Sequence, residues 1–185
     1  MLTGLILLGL LLVVGSSIVG LYNGLVQLRN ASDSAWSDID VQLKRRADLV
    51  PNLVESVKGY AGHERSTLDE VTEARARAMR AVTPGERSAA EGALGHALGG
   101  LFAVAEAYPE LKANQNFLSL QGDLSKLEDA IQNARRYYNA VVRDLNTKCE
   151  AFPSNLVASH FGFAKKEYFE LESPAERAAP AVSFP

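Results

Sequence analysis

From Leu2 to Leu21 the chain carries no charged side chain, and the first one to appear is Arg29. Twenty apolar-to-small residues wound as a helix match the roughly 30 Å hydrocarbon core of a bilayer. Beyond them the pattern changes from continuous to periodic. Leu25, Leu28, Ser32, Trp36, Ile39, Leu43, Ala47, Val50, Val54 and Val57 recur at steps of three and four. That spacing puts them along one stripe of a helix. Gln42, Lys44, Arg45, Asn52, Glu55 and Lys58 fall elsewhere around the cylinder. No turn signal separates the two patterns, so the apolar run and the amphipathic helix are expected to be continuous. Trp36, on the stripe and about 22 Å of helix beyond Leu21, suits a helical core better than a membrane-surface anchor.

Pro51 removes one backbone donor, and a bend is expected there because the stripe resumes in phase after it. The helix boundary falls at Gly59 to Gly62, with Pro51 as the alternative. Leu68, Val71, Ala74, Ala78 and Val82 then trace a second helical face. Thr83-Pro84-Gly85-Glu86 is a helix start: a capping threonine, proline at the first helical position, and a glutamate three residues on. The helix that follows is rich in glycine and alanine until Tyr108-Pro109 stops it. Phe117, Leu120, Leu124, Leu127, Ile131, Ala134, Tyr138, Val141 and Leu145 form the last and most regular seam, with the 3.5-residue repeat of left-handed helix packing. Pro153-Ser154-Asn155 closes it. No stretch shows sustained alternation, so the domain is predicted to be all-α.

Composition narrows the function more by exclusion than by indication. A net charge of -3 leaves no basic footprint for nucleic acid. The Arg135-Arg136-Tyr137-Tyr138 run reads as a charged bundle surface rather than a phosphate site. Cys149 is the single cysteine, which rules out an internal disulfide and a cysteine-rich zinc site. It reads as a small residue on an apolar face. His63-Glu64 begins like a zinc-protease helix, but Thr67 stands where the second histidine belongs. A hydrolase using His63 and Glu64 is therefore the weakest reading. The carboxylate pairs Asp38/Asp40, Asp69/Glu70 and Asp123/Glu128 have no pocket signal around them. No catalytic, cofactor-binding or metal-ligating residue is predicted, and no cofactor.

The start of the chain lacks the positive n-region and cleavage box of a signal peptide, so an uncleaved anchor is expected. Arg29, Lys44, Arg45 and Arg46 all follow the apolar run, which points by the positive-inside rule to a cytoplasmic domain. Ser16, Gly20 and Gly24 stand four apart, the spacing at which small residues let membrane helices approach closely.

Several motifs in one order carry a specific resemblance. They are Tyr22-Asn23, Arg29-Asn30, AWSDIDVQLKRR (35–46), DLVPNLV (48–54), VKGYAGHE (57–64), AEAYPELKAN (105–114), ARRYYN (134–139) and FPSN (152–155). Together they resemble the LemA family over roughly residues 1–165. The resemblance implies a single-pass N-terminal membrane helix followed by an antiparallel, up-and-down four-helix bundle. It implies no established enzymatic activity and supplies no catalytic residues. The expected partition is an anchor over 1–24, the bundle over 25–155, a short cap segment over 156–172 and a mobile Ala/Pro-rich tail over 173–185.

The leading expectation is a scaffold or adaptor in the cell (inner) membrane that contacts the bilayer and either self-associates or docks a membrane protein. Asp38, Asp40, Arg45, Arg46 and Asn52 form its candidate interaction face, and Ser16, Gly20 and Gly24 its candidate membrane-helix packing row. The competing expectation is a sensor with a small-molecule site in the bundle core, in space left by Gly92, Gly95, Gly99 and Gly100.

Overall fold

The helix begun by the apolar run does not end where that run does. In the computed structural model, which describes residues 2–169, Leu2–Ala61 is one uninterrupted helix, α1. The expected boundary at Gly59 to Gly62 is where it stops, and Pro51 lies inside it. The others are α2 (Arg65–Arg80), α3 (Pro84–Glu106), the single turn α4 (Pro109–Lys112), α5 (Gln115–Glu150) and α6 (Ser154–His160). Among the described residues there is no strand, and the protein is an all-α helical bundle with one apolar N-terminal helix. The tail over 173–185 and the last three positions of the cap segment lie outside the described residues.

Local chemistry sets the helix ends. Thr83 Oγ1 accepts from the Glu86 amide and Glu86 Oε2 accepts from the Thr83 amide, both at 3.2 Å, so the capping box forms as its sequence predicts. Those backbone donors hold the Glu86 carboxyl below the usual carboxylate range. Asn114 Oδ1 accepts from the amides of Asn116 and Phe117 at 2.9 and 3.2 Å, capping the start of α5. Arg87 Nη1 donates to the carbonyl of Ala78 at 3.0 Å, satisfying one of the last carbonyls of α2.

The chain forms two compact units, and both α1 and α5 contribute to each. The first comprises residues 2–39 and 134–167. Its core is Leu25, Leu145, Val157 and Ala158, with Leu21, Leu28, Cys149 and Phe163 packed against it. Trp36 is half-buried with its ring 5.5 Å from that of Tyr138. Ser32, a polar member of the stripe, is fully buried and donates its hydroxyl to the Arg29 carbonyl at 2.6 Å. The segment after α6 is tied back to α5: Asn146 exchanges two 2.9 Å hydrogen bonds with the Lys166 backbone, and Tyr138 Oη donates to the Glu167 carbonyl at 2.8 Å. Burial pushes the Tyr138 phenol above its ordinary value.

The second unit comprises residues 40–133 with 168 and 169. Four long helices supply its core: Val50, Leu53 and Val57 of α1, Leu68 and Val71 of α2, Leu94 and Leu101 of α3, and Phe117 and Leu124 of α5. Leu53, not the half-buried Val54, is the fully buried member of its turn. In α5 full burial recurs every seventh residue, at Phe117, Leu124, Ile131, Tyr138 and Leu145, with Leu120, Leu127 and Ala134 half-buried between them.

Pro51 explains one contact in this unit. Lacking an N–H, it leaves the carbonyl of Ala47, four residues back, without its helical donor. Arg75 of α2 fills the gap, its Nε donating to the Ala47 carbonyl at 2.6 Å. A defect in one helix thereby becomes a link to its neighbour. Arg75→Ala is expected to cost about 1–3 kcal/mol by stranding that carbonyl. In a Pro51→Ala background residue 51 regains an N–H for Ala47, so chemical denaturation should show a smaller cost there. Equal costs in the two backgrounds would refute the coupling.

Candidate functional site

The five residues of the expected interaction face do not share one environment. Asp38, Arg45 and Asn52 are exposed. Asp40 is half-buried and accepts from Arg87 Nη2 at 2.6 Å. Lys44, which stands four residues after Asp40, pairs instead with Asp48 at 3.1 Å. Arg46 is only 4% exposed and does not lie on a surface at all.

Arg46 is the centre of a buried charge cluster. It falls on the seam of α1 in the series Ile39, Leu43, Arg46, Val50, Leu53 and Val57, every member of which is buried. Glu91 sits equivalently on α3, ahead of Leu94, Leu98 and Leu101. Arg46 Nη2 donates to the Glu91 carboxylate and to the Glu91 carbonyl, the latter at 3.0 Å. Arg46 Nη1 donates to Glu128 Oε1 of α5 at 2.6 Å. Burial pushes the Glu91 carboxyl above the usual carboxylate range, against the opposing pull of the Arg46 guanidinium. Nε of Arg46 and Nε of Arg87 are buried without a hydrogen-bond partner. A polar cavity of about 200 Å³ opens beside the cluster, with Asp40, Lys44, Arg87 and Glu91 in its walls. The signal for this cluster is present in the sequence: opposite charges on the apolar seams of two helices.

The packing row divides as well. Ser16 Oγ donates to the Val13 carbonyl at 2.9 Å, and nothing lies within 4 Å of a Cβ placed on Gly20. A Cβ on Gly24 would meet Lys148 Nζ at 2.6 Å. Gly24 therefore makes room for a side chain of α5. Gly92, Gly95, Gly99 and Gly100 are all exposed, while the buried face of α3 is Ser88, Glu91, Leu94, Ala97, Leu98, Leu101 and Ala105. The glycines face away from the core and do not line space inside it.

His63 lies in the turn after α1 and is exposed, as are His96 and His160. No group of three or more potential metal ligands comes together among the described residues. Cys149 is half-buried, and burial together with the neighbouring Glu150 carboxylate pushes its thiol up.

The arrangement is one of structural charge and seam packing, and relatives place it in a family. The LemA family model matches residues 35–184. The chain belongs to the LemA family. It is also similar to magnetosome protein MamQ 2 of Paramagnetospirillum magneticum, 27% identical across 83% of this chain and 66% of that one. Magnetosome protein MamQ of Magnetospirillum gryphiswaldense is 26% identical over the same shares. Protein LemA of Metamycoplasma hominis is 31% identical across 76% of this chain and 64% of its own length. The chain thus spans just under two thirds of the length of these relatives.

Breaking the buried cluster from one side should be costly. Arg46→Met leaves Glu91 enclosed without its counter-charge and is expected to lose about 3–5 kcal/mol. The pair Arg46→Met with Glu91→Leu should recover most of that loss in thermal or denaturant unfolding. The pH dependence has a definite sign. A carboxyl whose folded value is raised contributes stability that is full below its unfolded value and lost as pH rises through the folded one. The defect of Arg46→Met, where no guanidinium opposes the burial of Glu91, should therefore be larger near neutral pH than in mild acid.

Proposed function

We propose that this LemA family member is a single-pass membrane scaffold or adaptor that self-associates or docks a membrane protein. The observation that carries the reading is the apolar part of α1. It is long and apolar enough to cross a membrane, and none of its most apolar window is buried by the rest of the chain. Leu5, Leu8, Leu11 and Val13 are 56–69% exposed. Apolar surface of that extent has no stable place in water, whereas a hydrocarbon core accepts it readily.

The finer parts of the reading follow from the same source. Residues 1–24 act as the anchor and 25–155 as an up-and-down bundle, whose short connections make sequential helices antiparallel. The basic residues that follow the apolar run favour a cytoplasmic domain in the cell (inner) membrane. Ser16 and Gly20 give the anchor a close-packing edge, since the Ser16 hydroxyl bonds within its own helix and Gly20 has open space beside it. Asp38, Arg45 and Asn52 remain as the solvent-facing part of the docking surface.

A single cysteine at Gly20 in a Cys149→Ser background, oxidised in native membranes, tests the self-association. The expected result is a covalent homodimer, in lower yield when Ser16→Leu is added to the same chain. Monomer by mass measurement in lipid nanodiscs, with no partner captured by crosslinking in the membrane, would refute the scaffold reading. Extraction of the protein by alkaline carbonate would refute the anchor.

A further inference from the structure

We propose that the protein touches the bilayer at a second place: the α5–α6 turn and α6 insert their exposed apolar side chains, Phe152, Leu156 and Phe161, into the lipid beside the anchor. The inference rests on the membrane reading of α1 and adds to it a second, discontinuous segment of the chain.

Depth is the first argument. The buried face of α6 holds Ser154, Val157 and Ala158, and Val157 and Ala158 share a core with Leu25. A cleft of about 520 Å³ opens beside it, with Val14, Ile18 and Leu21 of α1 and Leu156, Val157, His160 and Phe161 in its walls. The α1 wall begins at Val13, eight residues before Leu21, where the apolar run ends. That run, Leu2 to Leu21, is long enough to span the hydrocarbon thickness as a helix. Crossing the bilayer with it places Val13 to Leu21 at hydrocarbon depth, and α6 with them.

Chemistry is the second argument. Phe152 is 80%, Leu156 62% and Phe161 51% exposed, three large apolar side chains within ten residues of sequence. Exposed apolar residues occur elsewhere too, among them Met79, Val82 and Leu118, as is ordinary for a protein surface. What sets Leu156 and Phe161 apart is that they line one cleft with Val14, Ile18 and Leu21, so that their apolar surface continues that of the anchor. Two hydroxyls at this level are satisfied locally: Ser17 Oγ donates to the Val13 carbonyl one turn back at 2.8 Å, and Ser154 Oγ to the Ala151 carbonyl of the α5–α6 turn at 2.9 Å. Hydroxyls satisfied inside the chain suit a hydrocarbon environment, whereas Asn155 Oδ1 of α6 is buried without a hydrogen-bond partner.

The third argument is the order of residues along the membrane normal. Tyr22, at the end of the apolar run, makes edge-to-face contacts with Phe161 and Phe163, centroids 4.9 and 5.7 Å apart. Aromatic residues of this kind collect at the membrane–water boundary. Polar groups begin just past it: Lys148 Nζ stands against Gly24, and the Arg29 guanidinium lies over Phe163 at 5.3 Å. The sequence of apolar, aromatic and cationic levels is therefore shared by α1 and by the segment around α6.

The test is collisional accessibility of nitroxide labels on the full chain in phospholipid vesicles, with Cys149→Ser as background. Single cysteines at Leu156 and Phe161 are compared with Leu11 in the anchor and Val82 on the α2–α3 connection. The expected result is a loss of collisions with a water-soluble nickel chelate and a gain with oxygen at Leu156, as at Leu11 and opposite to Val82. Lipid-like behaviour at Leu11 with nickel access at Leu156 overturns this inference and leaves the anchor standing. Low access to both reagents at Leu156 also overturns it, because a second copy or another protein then covers the patch. Nickel access at Leu11 overturns the anchor itself and this inference with it.

Discussion

A guanidinium on an apolar seam sets the terms for the four-helix unit. Arg46 occupies a position that Ile39, Leu43, Val50 and Leu53 fill with hydrocarbon, so its charge has to be solvated by protein. Glu91 and Glu128 do this from α3 and α5, with the Glu91 carbonyl as a further acceptor. The helices are therefore fixed in register against one another, because a shift of one turn in any of them would leave a buried charge unpaired. Such a cluster contributes little net stability relative to well-packed apolar residues. What it supplies is a penalty on the alternatives. A bundle built on alanine, leucine and valine has many nearly equivalent ways to slide, and a buried ion pair separates one of them from the rest.

Two further arginines work by the same principle on backbone groups. Arg75 replaces the donor that Pro51 lacks, and Arg87 meets a terminal carbonyl of α2 while also pairing with Asp40 of α1. In each case a long cationic side chain spans from one helix to a carbonyl of another that the helical ladder leaves open. The connections of this unit are short, and the arginines reinforce pairings that the connections already favour.

Much of this was legible in the sequence. Continuity of α1, its end before Gly62, the capping box at Thr83, and the seam of α5 all follow from rules that act within a few residues. The register of the α1 seam was less legible, since Leu53 and Val54 are both apolar and only packing chooses between them. Charged residues were the main difficulty. Arg45 and Arg46 are adjacent and chemically identical, yet one faces solvent and the other is enclosed by three helices. Helical phase separates them, but a cation on the seam looks like an error in the phase until its partner on another helix is known. Glu91 is that partner, and it was equally easy to assign to a solvated face. The glycines of α3 misled in the opposite way: small residues suggest room inside a core, whereas here the helix turns them outward.

That outward face has a consequence for the motion of the molecule. Each glycine lowers intrinsic helix stability by about 1 kcal/mol relative to alanine, and α3 carries five between Gly85 and Gly100. On the exposed side of the helix few side chains cover the amide groups, so α3 is held almost entirely by its buried seam. Brief local openings should therefore begin there, and amide protons along α3 should exchange with solvent ahead of those in α1 and α5. Because α3 also bears Glu91, each opening momentarily exposes the charge of Arg46 to water. The unit's register pin and its softest helix are the same element.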